Sequence, residues 1–184
     1  MSPRYGRPVM PGGHLVTAAA LSGVVYAKTG SAAAATGCFL GGFLIDADHY
    51  FDYIFIDRQW RRPWPAAFLR HYFEVRFKRL VLPLHSWEVL GMLVGISVVS
   101  GAPLLVGYVA GAIMHLLFDI LINGEHGLKN PIWFYSFVFR ARHGFLASRL
   151  LHPVSPRVVP INAQFWRIRP MTRGGSLSQS TESR

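Results

Sequence analysis

Residues 102–122, APLLVGYVAGAIMHLLFDILI, hold one histidine and one aspartate in an otherwise uncharged run, and their reading decides the fold. A helix of that length spans about one bilayer. A second long apolar run, 80–99, precedes it across the turn Ser100-Gly101-Ala102-Pro103, and no charged residue stands between Val89 and Met114. Further upstream lie LVTAAALSGVVYA (15–27) and SAAAATGCFLGGFLI (31–45), split by Lys28-Thr29-Gly30. Each is shorter than the roughly 20 residues of a bilayer crossing, but Ala, Gly and Ser suit close helix–helix contact. The two runs predict a helical hairpin closed at Gly30. Together the four predict an all-α, polytopic membrane bundle of about four apolar helices plus interfacial segments.

The composition agrees. Of 184 residues, 51% are hydrophobic and only 15% charged, against roughly 25% charged in soluble domains. The net charge of +10 suits nucleic acid, an anionic lipid surface or cytoplasmic loops. A soluble basic protein needs more polar surface than this chain supplies. Lone Cys38 excludes an intramolecular disulfide and a CxxC metal site. Arg4 and Arg7 ahead of 15–27 resemble a signal peptide, yet 31–45 stays apolar where a mature secreted domain turns polar.

One membrane-embedded domain is expected over 1–168, with a basic loop at 46–79, and a Ser/Gly/Thr-rich disordered tail over 169–184. Within the loop, Arg58, Arg61, Arg62, Arg70, Arg76, Lys78 and Arg79 alternate with aromatic residues. Anionic headgroups are the expected partner of 58–79, and nucleic acid is not. PIWFYSFVF (131–139) reads as an interfacial helix or strand-like segment. Arg and Lys crowd the lead, the 46–79 loop and the region after 123, while the turns near 28–30 and 100–103 carry one Lys. Positive residues favour the cytoplasmic side. Both termini and the basic loop are therefore expected there.

That topology gathers the polar residues of the apolar runs at one end. His14 opens the first run, Asp46, Asp48 and His49 close the second, His85 and Glu88 begin the third, and His115 and Asp119 end the fourth. His115 and Asp119 share a helix face at i, i+4, and His85 and Glu88 at i, i+3. Imidazole and carboxylate donors without thiolates suit zinc, manganese or iron. His71, His126, His143 and His152 read as surface residues, and Asp52 and Asp57 as supporting or ion-pair partners.

GGHLVTAAALSG, LIDADHYFD, LPLHSWEVL and GAIMHLLFDILING, in this order over residues 10–126, resemble a bacterial inner-membrane metal-dependent hydrolase family. That family is itself distantly similar to zinc-dependent phospholipase C and P1 nuclease. The chain departs from its pattern in lacking a proline before Asp46 and a His-Arg pair before His85-Ser86. The resemblance implies a multi-pass inner-membrane protein whose cytoplasm-facing divalent metal, most simply zinc, hydrolyses a lipid-like phosphoester. His14, Asp48, His49, His85, His115 and Asp119 would be ligands, Asp46 or Glu88 a ligand or general base, and Arg79 a partner for substrate charge. The competing expectation is a non-catalytic transporter or scaffold. A transporter places its charges near the bilayer midplane, whereas these lie at helix ends.

Overall fold

A computed structural model describes residues 11–73, 76–123 and 128–152. Most of the basic lead, His126, the Pro-punctuated stretch 153–160 and the 169–184 tail lie outside the described residues.

The described chain is all-helical; no strand forms within it, and its only ladder pairings are isolated bridges, Arg79 with Leu146 and Leu128 with Leu151. Helix α1 (Pro11–Thr29) and α2 (Ala32–Phe43) form the expected hairpin. Gly30 takes φ +64°, and Ser31 caps α2 by accepting from the Ala34 N–H. Left-handed φ carries no Cβ penalty at glycine, which is why the turn sits there.

The central seam joins α2 to a later helix, Pro103–Phe118. A Cβ on Gly37 or Gly41 would run into the carbonyls of Leu104 and Tyr108; one on Gly107 or Gly111 would meet those of Ala34 and Cys38. Two glycine pairs, each spaced i, i+4, thus let two backbones touch. Cys38 is fully buried in this seam, and Gly42 faces Ala18 of α1.

The third apolar run departs from expectation. Residues 80–86 are not helical; α5 spans only Trp87–Ser100, capped by Ser86 accepting from the Val89 N–H. Its 14 residues cover about 21 Å. Pro83 and the positive φ of Leu82 (+43°) explain the loss of the first turns. Gly101 (φ +60°) then reverses the chain, and Pro103 opens the seam helix, α6. Helices α5 and α6 are in contact. Among the described residues, Pro103–Leu121 is the one helix long and apolar enough to cross a membrane.

The 46–79 segment is largely helical rather than a loop. It holds a 3₁₀ turn (Leu44–Asp46), α3 (Ala47–Phe51), a π turn (Asp52–Ile56) and α4 (Pro65–Phe73). The aromatic stretch forms α7 (Pro131–Phe134) and α8 (Phe137–Arg142), followed by α9 (Ala147–Leu150). Ile45, Leu82, Leu90, Leu116, Phe134 and Leu150 bind these pieces into one core at the end of the bundle.

Candidate metal centre

The start of α1, the ends of α2 and α6 and the approach to α5 meet at that end. His14, Asp48, His85, His115 and Asp119 are all buried there, an arrangement that four separate stretches of sequence must share. The α-helical ladder of α6 widens into a π turn at Asp119, a device frequent at functional sites.

At the centre, Nε2 of His85 and Nε2 of His115 face each other at 3.2 Å. Asp46 Oδ1 is 3.4 Å from each of them. Asp119 Oδ2 is 3.5 Å from His115 Nε2 and 3.9 Å from His85 Nε2. Donors about 2.0–2.2 Å from one tetrahedral ion stand about 3.3–3.6 Å apart. His85, His115 and Asp46 match that spacing closely, and Asp119 matches it from His115.

Their outer atoms are fixed. His115 Nδ1 lies 2.9 Å from the Gly42 carbonyl, which can only accept, so this nitrogen carries the proton. His85 Nδ1 donates to Asp48 at 3.0 Å. With each ring neutral, both Nε2 atoms turn lone pairs toward the same point, where two carboxylate oxygens also converge. Such a point demands a cation, whether a proton or a metal. Histidine ligands oriented by a carboxylate or a carbonyl through the far nitrogen are the usual support of a metal.

Asp48 is thus placed as the orienting partner of His85 rather than facing the central point. It also accepts from the backbone N–H groups of Leu84 and His85. Asp52 accepts from Val81 and Leu82 at 2.6 and 3.2 Å. From the other side, fully buried Arg140 donates to the carbonyls of Val81, Leu82, His85 and Phe134. Three buried charges hold the non-helical stretch that carries His85, which explains why 80–86 forgoes helical bonds. Burial lowers the Arg140 guanidinium to about 10 and raises the Asp52 carboxyl to about 6.

His14 and His49 flank the centre. His14 Nε2 is 3.2 Å from the other Asp119 oxygen, its ring stacks on His115 at 4.0 Å, and its Nδ1 is buried without a hydrogen-bond partner. His49 Nε2 is 3.8 Å from Asp46 Oδ1. Burial and the neighbouring His85 lower the His49 pKa. Although burial opposes it, His115 and His85, when they carry a proton on Nε2 in place of a metal, hold Asp46 well below the usual carboxylate range. Asp46 is also the open edge of the centre, its side chain 31% exposed. Three overlapping trios could hold an ion: His14, His115 and Asp119; Asp46, His85 and His115; Asp48, His49 and His85.

Two expected participants stand elsewhere. Glu88 is exposed and accepts from the Ser136 hydroxyl and from the N–H groups of Phe137 and Val138 at the start of α8. It shares no face with His85, because His85 precedes the helix. Arg79 is exposed and lines, with His49, Asp52, His71 and Tyr72, a cavity of about 10 Å³, room for about one water. His71 is not a free surface residue: its Nε2 is 2.9 Å from Asp57. Arg140 was not anticipated, since nothing in FVFRAR distinguishes it from its neighbours.

No family model, no curated protein and no solved structure matches this chain.

Proposed function

We propose that this protein is a membrane-embedded, metal-dependent hydrolase acting on phosphoesters of lipid-like substrates at the cytoplasmic face of a bacterial inner membrane. The observation that carries it is the convergence of His85 Nε2, His115 Nε2 and Asp46 Oδ1 within 3.4 Å of one another, with Asp119 Oδ2 3.5 Å from His115 Nε2. Two imidazoles and two carboxylates suit zinc, with manganese or iron as alternatives. A divalent ion held there would polarise a phosphoryl oxygen and acidify a water. Substrate would reach the centre at the Asp46 edge, where His49 stands ready to accept a proton. Arg79, exposed on the rim of the small adjoining cavity, would balance phosphate charge.

Membrane residence rests on Pro103–Leu121 and on apolar side chains exposed along the bundle, among them Val98, Val99, Leu104, Val106, Leu117 and Leu121. An uncovered belt of that kind is costly in water. The helix ends that bear the centre share the side rich in Arg and Lys, hence the cytoplasmic orientation.

The closed packing around His14 favours a second reading, a non-catalytic membrane protein in which the same ion locks three helices together. Elemental analysis of detergent-purified protein beside His115→Ala, with a chromogenic phosphodiester assay, separates the outcomes. Stoichiometric metal lost in the variant, with hydrolysis lost in parallel, supports the hydrolase. Metal without hydrolysis leaves the structural role, and no metal in the wild type overturns both.

A further inference from the structure

The segment between the π turn and α4 is built to hold two tryptophans outward. Tyr53 donates its hydroxyl to the Arg62 carbonyl and Tyr50 donates to Pro63, each at 2.6 Å. Gln59 N–H bonds Tyr53 O, Arg62 N–H bonds Gln59 O, and Arg58 sits at φ +56°. On this fastened turn Trp60 is 56% and Trp64 71% exposed. Arg58, Arg61, Arg62 and Arg70 are exposed beside them. Among the described residues none of the four arginines makes an ion pair. Among the described residues, the acids nearest in sequence, Asp52 and Asp57, are turned inward to Val81–Leu82 and to His71. Phe51 and Phe55, in the helical turns that precede this segment, are exposed too, with rings 4.6 Å apart.

We propose that Trp60, Trp64 and the arginines at 58, 61 and 62 form a docking surface for anionic phospholipid headgroups, beside the centre described above. The proposal rests on the membrane reading. Tryptophan at headgroup depth and arginine on lipid phosphate are the chemistry of that layer, and among the described residues none of the four cations is matched by an acid. Flat aromatic–basic surfaces also bind single-stranded nucleic acid. Here the exposed phenylalanines and the apolar belt of the same bundle favour lipid. Because Tyr50 and Tyr53 belong to the segment that supplies Asp46, Asp48 and His49, lipid engaged on this turn lies next to the ligands.

The test uses full-length protein in lipid nanodiscs with Trp64 as the sole tryptophan, the residues at 60, 87, 133 and 166 being changed to Phe. Brominated phosphatidylglycerol should quench Trp64 more than brominated phosphatidylcholine in discs of the same mixed composition. Each arginine contributes about fivefold to local anionic enrichment, so Arg58→Gln/Arg61→Gln/Arg62→Gln should abolish the difference. Equal quenching by both lipids, a preference unchanged in the triple variant, or RNA binding in its place would overturn the proposal. Metal content of the triple variant should stay at the wild-type level. Equal quenching by both lipids in a wild-type protein that keeps its metal therefore overturns this surface alone and leaves the metal centre standing. A chain that stays soluble without detergent fails the membrane reading, and the same quenching on vesicles then decides the surface.

Discussion

His115 Nδ1 donates to the carbonyl of Gly42 at 2.9 Å, so a helix backbone in α2 sets the direction in which an α6 imidazole offers its other nitrogen. Gly42 directly follows Gly41 of the face that meets α6, and a Cβ on Gly111 of α6 would lie 2.6 Å from its nitrogen. The glycine seam is therefore part of the site's geometry.

Gly111→Ala should be severe. Its methyl would enter the Cys38 carbonyl, with the Gly42 nitrogen 2.6 Å away, and rigid backbone yields less than a side chain. A loss of about 3 kcal/mol or more is expected, with metal content falling alongside. Gly95→Ala meets nothing within 4 Å and should be neutral or up to about 1 kcal/mol stabilising. Thermal unfolding of both variants in one detergent compares them.

Asp48→Asn keeps an acceptor for the Leu84 and His85 N–H groups but weakens the bond that orients His85. Metal affinity should fall about 10–100-fold, with a far smaller change in melting temperature. Competition against a chelator reads the first quantity, and an unchanged affinity would place Asp48 outside the support of the centre.

Arg140→Lys preserves a charge yet cannot reach four carbonyls from one ammonium. Val81, Leu82, His85 and Phe134 would lose their donor, at a cost of about 3 kcal/mol. Hydrogen exchange should rise first at 81–85. Glu88→Gln, by contrast, should leave metal content untouched and cost about 1 kcal/mol at the start of α8.

Asp52 gives a pH signature. Its carboxyl rises from 3.8 to about 6 on folding because burial disfavours the charge. The folded state thus holds this proton more tightly than the unfolded state. Relative to Asp52→Asn, the wild type should lose stability as pH climbs from about 4 through 6, by up to about 3 kcal/mol. Melting curves of the pair between pH 4.5 and 7.5 check this; a difference that grows in the opposite sense would contradict it.

The location of the centre was legible because ionised groups are too costly to scatter through apolar helices. Counting Arg and Lys was enough to bring His14, the Asp46–His49 cluster, His85 and His115–Asp119 to one end. Roles within it were not legible. Asp46 and Asp48 differ by two positions in a short cluster, yet one faces the central point and the other faces away to hold His85. Glu88 misled because i, i+3 spacing has meaning only once a helix exists, and Pro83 delays α5 until Trp87. Leu80 to Leu84 are apolar enough to read as a crossing, and only the inward charges of Asp52 and Arg140 reveal an irregular strap. The Ala/Gly content of 31–45 foretold close packing, but not that α6 would be its partner in the seam.

The reach of Arg140 also bears on how the protein is made. Its guanidinium grips His85 from 55 residues further along the chain. While a ribosome is still producing the residues between them, His14, Asp46, His49 and His85 are already synthesised, but the strap bearing His85 has no clasp. The clasp arrives only after α6 has been synthesised. Alignment of the donors is thereby deferred until residue 140 has been made, and a nascent chain stalled before it would carry them without holding them in register.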